Sequence, residues 1–124
     1  MTSLSTNVKS PIRGEVWLVK LDPAIGSEIK KTRPAIVISA DVVGKLPVKL
    51  VVPITDWKPY FANNTWHVKL SENSTNGLSK TSAADILQMR GVDLQRFVRK
   101  LGYLSKPKTS EIALKIAAVV EASL

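Results

Sequence analysis

A cluster of basic residues closes one polar stretch of the sequence. Lys30, Lys31 and Arg33 stand at the end of the segment DPAIGSEIKKTR (22–33). Cations on a loop held between strands can bind the phosphate groups of a nucleic-acid backbone. The alternative interpretation is a solvated basic loop without a ligand. The segment is therefore a candidate phosphate-binding loop.

Three aromatic residues and a lysine share a second polar segment, DWKPYFANN (56–64). Trp57, Tyr60 and Phe61 accompany Lys58 there, next to asparagine residues. Aromatic faces stack on unpaired bases and amides bind base edges, so this segment is a candidate for recognising single-stranded RNA. Alternatively, one or two of the rings pack in the core or at a dimer interface.

Composition narrows the chemistry that these segments can support. Eighteen Lys and Arg residues against ten Asp and Glu residues give a formal net charge of +8, which attracts polyanions. Nucleic acid is therefore the leading class of partner. The sequence has no cysteine and a single histidine, His67, so the usual zinc and iron ligand sets cannot be assembled from one chain. We expect neither a metal nor a cofactor.

His67 is a tempting general acid or base because histidine can exchange protons near neutral pH. It lies in the alternating segment TWHVKL (65–70), which predicts one face of Trp66, Val68 and Leu70. His67 falls on the other face with Thr65 and Lys69. This position predicts a solvated or locally hydrogen-bonded surface histidine, and we leave it out of the catalytic set.

The elements that position these residues are mostly short strands. β-branched and aromatic runs predict strands at 14–21, 34–40 and 48–55, followed by the half-buried strand 65–70. A further strand at 82–90, in a stretch that also suits a helix, leads into 92–101. Helical spacing of apolar residues predicts a C-terminal helix over 107–124. Pro53 should lie near a strand end or on an edge. The fold class is mainly β with a C-terminal helix, in a partly closed antiparallel barrel.

The length of 124 residues suits one domain. Residues 1–11 are polar and predict a flexible leader, and residues 12–124 form the domain. No apolar run is long enough to span a bilayer and the N-terminus has no apolar signal core. We therefore expect a cytoplasmic protein.

The order of motifs resembles the MazF/PemK/Kid family of toxin endoribonucleases. The stretch RGEVWLVKLDPAIGSEIKKTRPAIVIS (13–39) holds the family elements R-G-[DE]-[IV]-[WY], L-x-P, G-x-E and x-R-P in order, and VVPIT (51–55) follows. Weaker similarity continues through LSKTSAAD and LQMR into the terminal helix. The resemblance implies an SH3-like barrel of the CcdB/Kid/MazF type and metal-independent cleavage of single-stranded RNA at a short sequence.

The resemblance also implies site residues. The arginine of the R-P pair and the threonine that ends the next strand fall on Arg33 and Thr55, whose guanidinium and hydroxyl suit charge neutralisation and hydrogen bonding at a phosphate. Glu28 of the G-x-E element is a candidate base, or it orients Arg33, or it forms a structural ion pair. The acid of the Kid branch is missing, because Leu87 stands at its position, and Asp85 is a possible substitute. The candidate RNA contacts are Ser27, Lys30, Lys31, Trp57, Lys58 and Gln88.

As partners, the resemblance implies a homodimer and a cognate antitoxin with an acidic tail, beside the RNA substrate. If the 2′-hydroxyl of the RNA attacks the adjacent phosphate, the products carry 2′,3′-cyclic phosphate and 5′-hydroxyl ends. Two alternatives from other classes remain: a non-catalytic SH3-like module that binds RNA or protein, and a CcdB-like toxin that inhibits gyrase. Neither requires both the R-P arginine and the strand-end threonine.

Overall fold

The computed structural model describes residues 10–43 and 47–123, so residues 1–9 of the predicted leader lie outside it. Within this part the chain forms seven strands, followed by one α-helix. The strands are β1 (Glu15–Lys20), β2 (Thr32–Val37), β3 (Val48–Asp56), β4 (His67–Leu70), β5 (Ser82–Asp85), β6 (Arg90–Asp93) and β7 (Phe97–Tyr103), and the helix α1 is Lys106–Val119. Short 3-10 turns lie at Asp41–Val43, Pro59–Asn63, Ile86–Gln88 and Leu94–Arg96.

The strands form one antiparallel sheet. Its order is β4-β5-β3-β2-β1-β7, and β6 pairs with the first half of β3. The sheet is not fully closed, and α1 packs on it through Ile112, which is buried with Val16 and Ile54. The predicted fold class, mainly β with a C-terminal helix in a partly closed barrel, is confirmed.

Strands β2 and β3 are buried on both faces. Ile36, Val52 and Ile54 belong to the core under α1. The alternate residues, such as Val37 and Val51, belong to a second core that includes Phe97. Burial of each such side chain stabilises the fold by about 1.5–3 kcal/mol. This two-sided burial explains why both strands read as continuous apolar runs rather than as alternating ones.

The predicted strand at 82–90 is wrong in one respect, because the chain leaves the sheet in its middle. Ala84 of β5 pairs with Ile54, and Arg90 of β6 pairs with Val51. The 3-10 turn Ile86–Gln88 supplies the extra residues between these pairings. A second 3-10 turn, Leu94–Arg96, likewise interrupts the predicted strand 92–101.

Pro53 explains where this detour occurs. It lies in the interior of β3, opposite Ala35 of β2, so the expectation of a strand end or an edge strand is wrong. On its other side, however, β3 pairs with β6 only up to Val51 and with β5 only from Ile54. A proline has no N–H to donate, so no ladder hydrogen bond is lost where the chain leaves the sheet.

The terminal helix is shorter than predicted. It begins after Ser105, whose Oγ accepts a hydrogen bond from the backbone N of Lys108 at 3.3 Å. It ends at Val119, and Glu121 has a φ of 58°, in the left-handed region that terminates helices. In the described part of the chain, no helix is long and apolar enough to cross a membrane.

The glutamate of the R-G-E-V-W motif has a structural role. Glu15 Oε1 accepts hydrogen bonds from Trp17 Nε1 at 2.9 Å and from the backbone N of Ile12 at 3.0 Å, and Oε2 pairs with Lys100 Nζ at 2.8 Å. Burial alone would raise the pKa of Glu15, but these hydrogen bonds, with that of Lys100 the largest, hold the pKa below its usual value. The motif therefore ties β1 to β7.

Candidate active site

Arg33 and Thr55 come together at one end of the β2–β3 pair. The last pair between β2 and β3 is Ala35 with Pro53, and Arg33 and Thr55 each lie two residues beyond it, on the same face of their strands as that pair. Both residues line a cavity of about 340 Å³. Within residues 10–43 and 47–123, neither side chain forms a hydrogen bond or an ion pair. Both groups are therefore free to bind a ligand.

The cavity carries a positive charge excess. Its charged lining residues are Arg33, Asp56, Lys80 and Arg99. Lys80 Nζ pairs with Asp56 Oδ2 at 3.1 Å, so these two charges offset each other. Arg99, like Arg33, has no partner in the described part of the chain. Two unpaired guanidinium groups therefore border the same cavity.

The loop between β1 and β2, residues 21–31, is called the basic loop here. Leu21 N donates to Lys31 O at 2.8 Å and closes its base. Arg90 and Arg96 donate to the backbone carbonyls of Leu21 and Lys20, both at 3.1 Å, and fix its start. Lys30 and Lys31 are exposed on it and do not line the cavity. The loop is anchored to the sheet while its cations face solvent.

Three candidate residues of the G-x-E and L-Q-M-R elements hold the basic loop in shape. Glu28 Oε1 accepts a hydrogen bond from Ile25 N at 2.7 Å, within the loop and outside the cavity. Gln88 uses both ends of its amide: Oε1 accepts from Ile29 N at 3.1 Å, and Nε2 donates to Ser27 O at 3.2 Å. The side chain of Glu28 forms no ion pair with any residue that the structure describes.

The segment from Trp57 to Asn64 is called the aromatic loop here. Trp57 extends β3, because its N donates to Thr81 O at 3.2 Å. Its ring lies 5.2 Å below Lys69 Nζ. Lys58 is exposed, and Tyr60 is 70% exposed. The loop therefore presents aromatic and cationic groups directly after Thr55.

His67 is not a solvated surface residue. Its side chain is 6% exposed and stacks on Phe61, with ring centroids 3.7 Å apart and an interplanar angle of 8°. Asn64 Nδ2 lies 3.1 Å from its Nδ1, and Asp85 Oδ2 lies 3.6 Å from its Nε2. The expectation of local bonding is therefore confirmed, and the expectation of solvation is wrong, because the aromatic loop folds over this face of β4.

Asp85 lies on β5 opposite His67 and outside the cavity. Its Oδ1 is buried without a hydrogen-bond partner in the described residues. Burial raises the pKa of the Asp85 carboxyl above its usual value, although the nearby His67 acts in the opposite direction.

No group of three or more His, Cys, Asp or Glu side chains that could hold a metal ion occurs in the described part of the chain.

Comparison with known proteins assigns the family. Residues 12–120 match the model of the PemK-like, MazF-like toxins of type II toxin–antitoxin systems. The chain belongs to the PemK-like, MazF-like toxin family. It is 36% identical over 114 residues to endoribonuclease MazF9 of Mycobacterium tuberculosis, covering 84% of this chain and 92% of that protein. It is 34% identical over 100 residues to endoribonuclease MazF of Staphylococcus saprophyticus, covering 81% of this chain and 82% of that protein.

Solved structures agree on the fold. A mycobacterial endoribonuclease in complex with its cognate antitoxin superposes with a TM-score of 0.71 at 14% identity, covering 93% of this chain and 99% of that one. The family match and the two endoribonuclease relatives identify a MazF-type toxin endoribonuclease, as the motif order predicts, rather than a CcdB-like toxin or a non-catalytic module.

The geometry of this MazF-type toxin separates the predicted site residues into groups. Arg33 and Thr55 share the cavity, whereas Glu28, Ser27 and Gln88 meet in the basic loop. Trp57 and Lys58 begin the aromatic loop. Arg99 was missed, because only the pairing of β7 with β1, with Arg99 opposite Leu18, brings it to the cavity. The run of three cations Arg96, Arg99 and Lys100 is the one signal in the sequence that could have indicated it.

Proposed function

We propose that this MazF-type toxin endoribonuclease cuts single-stranded RNA at a short sequence by attack of a 2′-hydroxyl on the adjacent phosphate. The observation that carries the proposal is that Arg33 and Thr55 line one cavity at the end of the β2–β3 pair, where neither side chain has a partner among the described residues. The 2′-oxygen forms a bond to phosphorus, and the bond from phosphorus to the 5′-oxygen breaks. The 2′-hydroxyl loses a proton and the 5′-oxygen gains one, which leaves 2′,3′-cyclic phosphate and 5′-hydroxyl ends.

In this reaction the enzyme supplies charge and orientation rather than a nucleophile. Negative charge grows on the non-bridging phosphate oxygens as the 2′-oxygen approaches. The guanidinium of Arg33 offers a planar pair of donors for two such oxygens, and the Thr55 hydroxyl offers a further donor. Because these groups neutralise the charge themselves, the proposed step includes no metal ion or other cofactor.

The exposed cations and rings around the cavity are proposed to hold the RNA on either side of the scissile phosphate. Lys31 precedes Arg33 by two residues and Trp57 follows Thr55 by two, so the basic loop ends beside Arg33 and the aromatic loop begins beside Thr55. Lys30 and Lys31 suit phosphate groups, whereas Trp57 and Lys58 suit a stacked base and its phosphate. Ser27 and Gln88 contribute to RNA binding because they hold the basic loop in shape and contact the RNA from it.

The test is cleavage of a defined RNA library in excess EDTA, with sequencing and chemical analysis of the new ends. We expect cleavage at a short common sequence, with cyclic phosphate ends. A substrate that carries one 2′-deoxy nucleotide at the scissile position should resist cleavage. Normal cutting of that substrate, or a strict need for added magnesium, would refute the proposed chemistry.

We also propose the partners implied by the family. A related mycobacterial endoribonuclease has been solved with its cognate antitoxin. An acidic antitoxin tail would fit the positive surface around Arg33, Arg99 and the basic loop, and would compete with RNA. We propose a homodimer in the cytoplasm, where RNA and antitoxin meet the toxin. Light scattering at micromolar concentration tests the dimer, and RNA binding by the inhibited complex tests the competition.

A further inference from the structure

The ring of Phe61 contacts both of the other aromatic rings in the aromatic loop. Its ring centroid lies 5.8 Å from that of Trp57 and 4.9 Å from that of Tyr60, in T-shaped arrangements. Its remaining face stacks on His67. The positions of Trp57 and Tyr60 therefore depend on Phe61, and that of Phe61 depends on His67.

His67 is itself held at both edges of its ring. Asn64 lies 3.1 Å from Nδ1, and Asp85 lies 3.6 Å from Nε2. The first contact ties His67 to the end of the aromatic loop, and the second ties it to β5. Since β4 and β5 pair directly through these two residues, His67 connects the loop to the rigid sheet.

The rings that His67 fixes lie next to the catalytic pair. Trp57 stands two residues after Thr55 and continues the strand, and Lys69 lies over its ring. Thr55 and Lys69 both pair with Ala83, so their side chains share one face of the sheet. A base beside the scissile phosphate would thus meet the rings of this loop.

We infer that His67 is a positioning residue for RNA recognition. It fixes Phe61, and through Phe61 it holds Trp57 and Tyr60 ready to stack on bases next to the scissile phosphate. This inference rests on the proposed function of Arg33 and Thr55. In this arrangement His67 contacts neither the RNA nor the reacting atoms, so its loss affects recognition and leaves the chemical step intact.

The test compares His67→Ala with wild-type protein in single-turnover cleavage of the library. The enzyme concentration for half-maximal rate should rise about tenfold, the loss of roughly one stacking contact. The maximal rate should stay within about twofold, and the selectivity at positions beside the cut should weaken. Val68→Ala is the matched control, because Val68 is buried on the opposite face of the same strand. It should lower stability without changing either the half-maximal concentration or the cleavage profile.

His67→Phe supplies a conservative rescue. It keeps a flat ring for Phe61 to stack on, so most of the lost selectivity should return. Unchanged RNA affinity and selectivity in His67→Ala, or a His67→Phe variant as impaired as the alanine variant, would overturn the inference. An inactive wild-type protein would instead refute the proposed function. In that case the role of His67 can still be tested with an uncleavable RNA, which carries a 2′-O-methyl group at the cleavage position. The affinities of wild-type protein and His67→Ala for this RNA are then compared.

Discussion

Arg33 near the start of β2 and Thr55 near the end of β3 line the same cavity, each two residues beyond the last β2–β3 pair, Ala35 with Pro53. Each residue is held by pairing on the far side of its own strand, Arg33 with Val19 of β1 and Thr55 with Ala83 of β5. A site built on paired strands keeps its geometry when a loop residue changes. Substitutions at these two positions should consequently alter the chemistry without disturbing the fold.

Arg33→Ala should lower the maximal single-turnover rate on the order of a hundredfold or more, because it removes a donor to the transition state. RNA binding should weaken only modestly, since several cations share that task. Lys106→Ala is the control, as it removes an equal charge from an exposed residue outside the cavity. Wild-type cleavage by Arg33→Ala would contradict the assignment.

Thr55→Val keeps the β-branched shape of the side chain and removes its hydroxyl. We expect the maximal rate to fall roughly tenfold, the loss of one hydrogen bond to a charged group. Chemical denaturation should give an unfolding free energy close to that of wild type, which separates this effect from misfolding. A fully active Thr55→Val variant would assign Thr55 to strand formation alone.

Glu28 can be tested by separating its hydrogen bond from its charge. Glu28→Gln retains an Oε1 acceptor for Ile25 N, so the basic loop should keep its shape. The cleavage rate of this variant should stay within about threefold of wild type. Glu28→Ala loses the acceptor and should have a lower cleavage rate than the glutamine variant. If Glu28 were the general base, the glutamine variant would lose about a hundredfold or more in rate. Single-turnover rates of the two variants distinguish these cases.

Arg99 should contribute to RNA binding through a phosphate. Arg99→Ala is expected to weaken binding and to reduce the slope of log affinity against log salt by about one. Arg99→Lys should restore most of the slope, because the charge returns. Titrations at several salt concentrations provide the measurement, and an unchanged slope in the alanine variant would place Arg99 outside the RNA path.

Asp85 should make the fold less stable as its carboxyl ionises. Burial raises the pKa of this carboxyl in the folded state, so the protonated form favours folding. This contribution to the unfolding free energy is lost as the pH rises from the usual aspartate pKa, near 4, through the raised pKa of the folded state. Asp85→Asn removes this titration. The unfolding free energy of D85N relative to wild type should therefore increase with pH across that window. A difference that is flat with pH would show that burial does not penalise the charge.

The sequence predicts the elements best where burial is two-sided. β1 and β3 lie within one residue of their predicted bounds, because each is rich in β-branched and other apolar residues that have to be buried, whereas β2 begins two residues and ends three residues earlier than predicted. The chain from Ser82 to Leu101 was misjudged, since its two turns are determined by how β5 and β6 share β3. Pairing between distant strands leaves no local pattern in the segment itself.

The candidate site shows the same division. Arg33 and Thr55 are identified by motif order, and strand pairing brings them together. The contacts of Gln88 are invisible in the sequence, because its partners are backbone groups of Ser27 and Ile29, 61 and 59 residues away. Any residue type would offer the same C=O at position 27, and any residue type except proline would offer the same N–H at position 29. Likewise, the stacking of His67 on Phe61 depends on a loop conformation that the alternation of β4 does not encode.

Pro53 also protects the molecule against a competing sheet. If residues 82–93 ran beside β3 as one uninterrupted strand, β6 would move along β3 by the three residues of the turn Ile86–Gln88. A shift by an odd number reverses the faces of a strand, so Val92 would leave the core that it shares with Val51 and Phe97. Gln88 would be carried away from the basic loop. An imino acid that cannot complete the ladder makes that mispaired sheet less favourable, so Pro53 favours the observed pairing over the alternative.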